Sequence, residues 1–278
     1  MKRIFAIALA LLMMLSAFAC AEEFRVGLEC NYAPFNWTQV EEDELSVPID
    51  GGMGFAGGYD VEIAKRIAEG LGRDLVIVKI EWDGLIPALQ SGMIDAVIAG
   101  MSPTAERKLT VQFSDAYYNS DLVVVVRKDS QYASATQLSD FAGANITGQL
   151  NTFHYTVIDQ IEGVNKMPAM ETFPAMIVAL NSGVIDGYIS ERPGAVSACA
   201  ANPDLTYITF EPGFEASEED TSIAVAMRQT DTELCTQINE ILAGIDVDTR
   251  NQLMDNAVLN QPVVAQKFRN VRFGPVRS

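Results

Sequence analysis

What this chain has little of narrows its chemistry first. It contains one histidine, His154, so no multi-histidine metal centre can be built and no metal is expected. Its 19 lysines and arginines are outnumbered by 37 aspartates and glutamates. The resulting net charge of −18 repels nucleic acid, which asks for a basic footprint. Cysteine is scarce: Cys20, Cys30, Cys199 and Cys235, with no pair at metal-site spacing. If Cys20 is lost or modified, an odd number remains that cannot all pair internally, and isolated half-buried thiols are expected. Long apolar runs are missing beyond the N-terminus. The one run, residues 4–15, is shorter than the roughly 20 residues a transmembrane helix needs.

That run has another use. Lys2 and Arg3 precede it, and small residues follow it from Ser16 to Ala21. This is the layout of a secretory signal over residues 1–21, with cleavage near Ala19 or Cys20. Ala17-Phe18-Ala19 fits ordinary cleavage. Cys20 also permits a lipoprotein signal in which that cysteine is acylated, although Ala17 stands where a larger aliphatic is more usual. The protein is expected outside the cytoplasm, in the periplasm or on the outer face of the cell membrane. Its acidity favours a cationic small ligand weakly and at long range, and serves solubility equally well. From Lys267 to Arg277 the chain is basic with no acidic residue; this tail either touches a membrane or partner, or frays into solvent.

The mature region suits one large or two smaller domains of alternating strands and helices. Residues 24–28 read as a strand, followed by a long polar and glycine-rich loop. Asp60 is placed to cap a helix carrying Ile63, Ile67 and Leu71, which Gly72 ends. Residues 75–80 are strand-like, and Asp83 can cap a helix with Leu85, Ile86 and Leu89 that stops at Ser91-Gly92. Strand, helix, strand, helix is the pattern of a parallel sheet covered on its faces. The glycine run at 51–58 lacks the Gly-Lys-Ser/Thr ending of a phosphate loop.

An internal repeat is more informative. Residues 88–98 read Ala-Leu-Gln-Ser-Gly-Met-Ile-Asp-Ala-Val-Ile, and residues 179–189 read Ala-Leu-Asn-Ser-Gly-Val-Ile-Asp-Gly-Tyr-Ile. Each is a helix end, a Ser-Gly stop and a strand entered through Ile-Asp. Two copies are too few for a solenoid, so two similar α/β lobes are expected. Ligands of open parallel sheets sit beyond the carboxyl ends of strands. Ala99-Gly100-Met101-Ser102 and Ser190-Glu191 follow the two copies and are the segments to inspect. Ser102 with Pro103 reads as a helix start able to hold an anion. Arg107, one turn on, can grip a carboxylate through two parallel bonds. Arg107 and Glu191 together offer both signs that a zwitterion requires. A buried carboxylate is costly unless paired.

Across residues 24–256 the sequence resembles the extracellular solute-binding proteins of ABC importers for polar amino acids. The motifs that carry this are Tyr32-Ala33-Pro34-Phe35, Gly58-Tyr59-Asp60-Val61-Glu62-Ile63-Ala64, the Trp82 to Leu89 stretch, Ala99 to Arg107, and Phe113 to Tyr118. The resemblance implies a two-lobed clamshell of α/β lobes with mostly parallel sheets flanked by helices. Lobe one would be residues 22–118 with 222–278, and lobe two residues 119–221. It implies a monomeric, non-enzymatic receptor without cofactor that hands a free amino acid to the permease subunits of an importer. It also implies roles. Arg107, Ser102 and the Gly100 backbone, beside Ala99, would take the ligand α-carboxylate, helped by Thr152 and its neighbours Gln149 and Phe153. Glu191, where an aspartate is usual, would take the α-ammonium. Tyr32 and Trp82 would sandwich the ligand side chain, and Glu29 would meet its far end. Asn151 and Phe153 stand where glycine is common. A cationic ligand such as arginine, lysine or ornithine is slightly favoured over glutamine or another polar amino acid. Some dehydratases of cyclohexadienyl substrates share the resemblance and supply an enzymatic alternative with Glu191 or Glu29 as general acid.

Overall fold

The computed structural model describes residues 22–262; the leader, Cys20 and the basic tail lie outside them. Residues 24–28 form a central strand because their side chains are nearly all buried, giving β1 (Glu23–Leu28). It belongs to a five-stranded sheet with β6 (Asp74–Lys79), β7 (Ala96–Val97), β8 (Gln112–Asn119) and β14 (Ser222–Met227), in the order β6-β1-β7-β14-β8. A second five-stranded sheet holds β9 (Leu122–Arg127), β10 (Asn145–Thr147), β11 (Asn165–Lys166), β12 (Gly187–Glu191) and β13 (Leu205–Ile208), in the order β11-β10-β12-β9-β13. The loop expected after β1 is instead a small four-stranded sheet of β2 (Asn31–Tyr32), β3 (Asn36–Gln39), β4 (Val47–Pro48) and β5 (Phe55–Gly57). Its strands are too short to leave an alternation readable in sequence.

The two large sheets have one topology. In the first, β6, β1 and β7 run parallel while β14 and β8 join antiparallel. In the second, β11, β10 and β12 run parallel while β9 and β13 join antiparallel. The sheets are therefore mixed, not mostly parallel, because each admits a strand that has just crossed from the other lobe. The chain crosses between β8 and β9, and again between β13 and β14. Ser120 N–H donates to Thr221 O at 3.0 Å, tying the two crossings together.

Helices α1 (Tyr59–Leu71), α2 (Leu85–Gln90), α3 (Ala105–Lys108), α4 (Phe153–Thr156), α5 (Phe173–Asn181) and α6 (Arg192–Ala201) cover the sheets. Val61, Ile63, Ala64 and Ile67 of α1 are fully buried, and each large aliphatic there contributes about 1.5–3 kcal/mol. Gly58, not Asp60, is the N-cap of α1. Gly72 ends it in the left-handed region as expected.

The repeat is a structural unit. α2 stops at Ser91 and leads to β7; α5 stops at Ser182 and leads to β12. Asp95 Oδ2 accepts from Arg25 N–H at 2.9 Å, and Asp186 Oδ2 accepts from Asn145 N–H at 2.9 Å. Each aspartate thus ties its strand to the neighbouring one. Arginines match as well: Arg228 Nη1 donates to Leu89 O and Ile94 O, and Arg127 Nη1 donates to Leu180 O and Ile185 O. Among the described residues, Cys30, Cys199 and Cys235 are free. Cys30 is fully buried, not half-buried as expected.

Candidate functional site

The carboxyl ends of β7 and β12 face each other across the line where the lobes meet. On the first lobe, Gly100 takes φ 62°, and a side chain there would come within 3.0 Å of the Tyr32 ring; glycine is the residue that avoids both problems. Its N–H donates to Tyr117 Oη at 3.3 Å. Tyr117 Oη donates to Asp60 Oδ1 at 2.7 Å, and Asn36 Nδ2 donates to Asp60 Oδ2 at 2.8 Å. Asp60 therefore props the Gly100 turn from below instead of capping a helix. Burial pushes its carboxyl up to about 7 against those hydrogen bonds.

Ser102 is buried but does not cap α3. Thr104 does, its hydroxyl accepting from Arg107 N–H at 3.4 Å. Helix α3 has only four residues, so it offers no anion site at its end, and a grip on an anion at this wall would have to come from Arg107. Arg107 Nη1 donates to Ser102 O at 2.9 Å, and its guanidinium carbon sits 5.1 Å from the Trp82 ring centre. Nη2 reaches the other lobe and donates to Asn151 O at 3.2 Å. Desolvation lowers its pKa to about 10, so it stays cationic at neutral pH.

The second lobe meets this wall with the loop between β10 and α4. Asn151 adopts φ 55°, a left-handed conformation that asparagine tolerates better than most residues. Asn151 Nδ2 donates to Asp83 Oδ1 at 2.9 Å across the lobes. Gln149, also buried, donates from Nε2 to Glu29 Oε2 and to Glu171 O, both at 3.1 Å. Thr152 Oγ1 donates back to Gln149 O at 2.7 Å. Two expected contacts turn away: Phe153 packs into the second lobe's core and Ala99 into the first lobe's.

Glu191, the last residue of β12, is buried, and its Oε1 lies 2.9 Å from His154 Nε2 on α4. Glu191 Oε2 and His154 Nδ1 have no hydrogen-bond partner within the protein. Desolvation pushes the Glu191 carboxyl up to about 8. The His154 imidazole falls to about 3, first by desolvation and then by the charge of Arg107. The pair is neutral at pH 7.

Tyr32 and Trp82 are not placed as two sides of one slot. Tyr32 stacks on Phe173 of the second lobe, ring centres 4.1 Å apart and planes 11° apart. Gly194 on α6 lets it approach, since a side chain there would come within 3.2 Å of the ring. Trp82 instead carries Arg107 and lines a cavity of about 220 Å³ with Glu81, Asp83, Leu150 and Glu171. Glu29 is buried nearby, with Oε1 unpartnered within the protein. Burial, with Glu81 and Asp60 adding to it, pushes its carboxyl up to about 7, opposed by the Gln149 hydrogen bond.

Four residues of this region escaped the sequence reading as site residues: His154, Phe173, Glu81 and Glu171. His154 was visible as the lone histidine two positions after Thr152. The others carry no motif, because only the meeting of the lobes brings them here.

Comparison with known proteins identifies the family and the fold. Residues 24–257 match the model of the bacterial extracellular solute-binding proteins, family 3. The chain is 26% identical over 230 residues to the ABC transporter arginine-binding protein 1 of Escherichia coli, covering 83% of this chain and 88% of that one. It is 30% identical over 181 residues to a probable histidine-binding protein of Campylobacter jejuni, covering 65% and 64%. Among solved structures, an amino acid ABC transporter substrate-binding protein from Streptococcus pneumoniae, bound to L-arginine, superposes with a TM-score of 0.73. That match has 26% identity over 85% of this chain and 94% of the other.

Proposed function

We propose that this chain, which belongs to the bacterial extracellular solute-binding proteins, family 3, captures a free cationic amino acid between its lobes and presents it to an importer. The family is one of receptors and not enzymes, and two of the relatives named above are named as binding proteins of ABC transporters. No helix among the described residues is long and apolar enough to cross a membrane.

The observation that carries the reading is that Arg107 of one lobe and Glu191 of the other both act on His154, the first through its charge and the second through a 2.9 Å contact, so the cleft brings together a guanidinium and a carboxyl. An amino acid backbone has one group for each. The α-carboxylate would take the guanidinium fork of Arg107 with the Gly100 and Ser102 segment. The α-ammonium would take the free oxygen of Glu191. Preference for a cationic side chain rests on Glu81, Asp83 and Glu171 around Trp82, with Glu29 behind them. A guanidinium or ammonium there meets carboxylates and a ring face, which attracts cations. The arginine-binding names of several relatives point the same way.

Thermal unfolding across the standard amino acids tests the proposal. At about 100 times Kd a specific ligand adds about 2.7 kcal/mol of stability. Arginine, lysine or ornithine should raise Tm the most. A larger shift with glutamine would overturn the cationic preference, and no shift with any amino acid would overturn the receptor reading.

A further inference from the structure

The His154–Glu191 contact has a consequence for how an ammonium group enters. We propose that His154 is a positioning residue that holds one oxygen of Glu191 and leaves the other for the ligand's α-ammonium, so that capture of the ligand expels one proton from Glu191.

The geometry sets this up. Glu191 ends β12 and His154 lies on α4, two elements of the same lobe whose side chains meet at 2.9 Å. Both are almost wholly withdrawn from solvent, with side-chain exposures of 5% for Glu191 and 10% for His154. Phe173 closes over the imidazole edge-on, 5.9 Å between ring centres. From the first lobe the charged group acting on His154 is Arg107, which opposes a second proton on the imidazole. On Glu191 no charged side chain acts to favour the anion; only its own backbone N–H does so. The carboxyl consequently holds its proton, and the imidazole is neutral, while the cleft is closed around them.

An ammonium arriving at Glu191 Oε2 changes the balance, because a cation beside a carboxyl favours its ionised form. Glu191 loses its proton to solvent and the ligand keeps all three of its own. His154 Nε2–H then donates to the new carboxylate through the existing contact. The imidazole stays neutral because its withdrawal from water and the charge of Arg107 both disfavour an imidazolium.

This inference rests on the receptor reading, and the measurement separates the two. Arginine binding is followed by titration calorimetry at pH 6.5 in buffers of different ionisation enthalpy, which counts protons directly. About one proton should leave per ligand, and affinity should rise close to tenfold per pH unit from pH 6 towards 8 before levelling. Binding without proton release, or with a flat pH profile, overturns the inference and leaves the receptor reading intact. Absence of binding overturns both.

Two variants locate the effect. Glu191→Gln should bind weakly and release about one proton fewer per ligand than the unchanged protein. His154→Phe keeps the packing on Phe173 but removes the hydrogen bond, so the levelling of the affinity profile should move to higher pH. A lowered Tm with an unmoved profile would show His154 to be merely a packing residue and would overturn its positioning role.

Discussion

At the scale of single residues, the cleft is held by side chains that do more than one job. Arg107 donates to Ser102 O and to Asn151 O and lies over Trp82, so its planar fork joins the two lobes while leaving donors for a carboxylate. A lysine would keep the charge but lose the fork and the stacking. Arg107→Lys should therefore weaken amino-acid binding by at least about 30-fold, the equivalent of about 2 kcal/mol. Isothermal titration is the check, and retention of affinity within threefold would contradict the role given to Arg107. Asp60 acts at one remove, since it holds Tyr117, which in turn meets Gly100 N–H.

At the scale of elements, the repeated unit explains why two lobes of different sequence share one topology. Each copy needs its helix end and its Ile-Asp turn secured to the same strand pair. An arginine at the end of the strand next to the matched one, or just past it, reaches both carbonyls of each copy: Arg228, which follows β14, for Leu89 and Ile94, and Arg127, the last residue of β9, for Leu180 and Ile185. Hydrogen bonds from a charged donor are worth about 1.5–3 kcal/mol. Arg127→Met and Arg228→Met should each destabilise the protein by about 2–3 kcal/mol in denaturant unfolding. Because the two sites lie in separate sheets with no shared partner, the double variant should lose the sum of the two. A large departure from additivity would contradict the independence of the two sites or show that unfolding is not a single two-state step.

At the scale of the whole molecule, closure makes one continuous apolar cluster out of parts of both lobes, with Tyr32 from the first and Phe173 from the second inside it. The same closure buries acids. Glu29 and Asp60 are pushed up to about 7 and Glu191 to about 8, above the ordinary carboxyl value of about 4 in an unfolded chain. The folded protein thus keeps protons that the unfolded chain has lost, and stability must fall as pH rises through those values. His154 works in the opposite sense. Lowered to about 3, it costs stability only below about 6.5, where the unfolded histidine becomes charged. Between pH 6.5 and 8 the carboxyls act alone. Tm without ligand should decline over that interval and Glu191→Gln should flatten the decline. A Tm that climbs from pH 6.5 to 8 would contradict the burial of these acids.

Much of this was already in the amino-acid order. The pattern of strand, helix and Ser-Gly stop identifies an α/β protein, and the repeat at 88–98 and 179–189 identifies two like lobes. These are local properties, fixed by periodicity and by residues such as Gly72 and Gly92 at helix ends. Arg107 and Glu191 were legible too, because each follows a matched strand. The antiparallel strands were not, since they come from chain crossings that no local pattern announces. Nor were the partners of the site residues. That His154 meets Glu191, that Phe173 covers Tyr32, and that Asn151 spans to Asp83 depends on segments 37 to 141 residues apart in the chain being folded face to face. Only the tertiary structure withdraws those groups from water together, and that shared desolvation, not any motif, decides which of them hold protons.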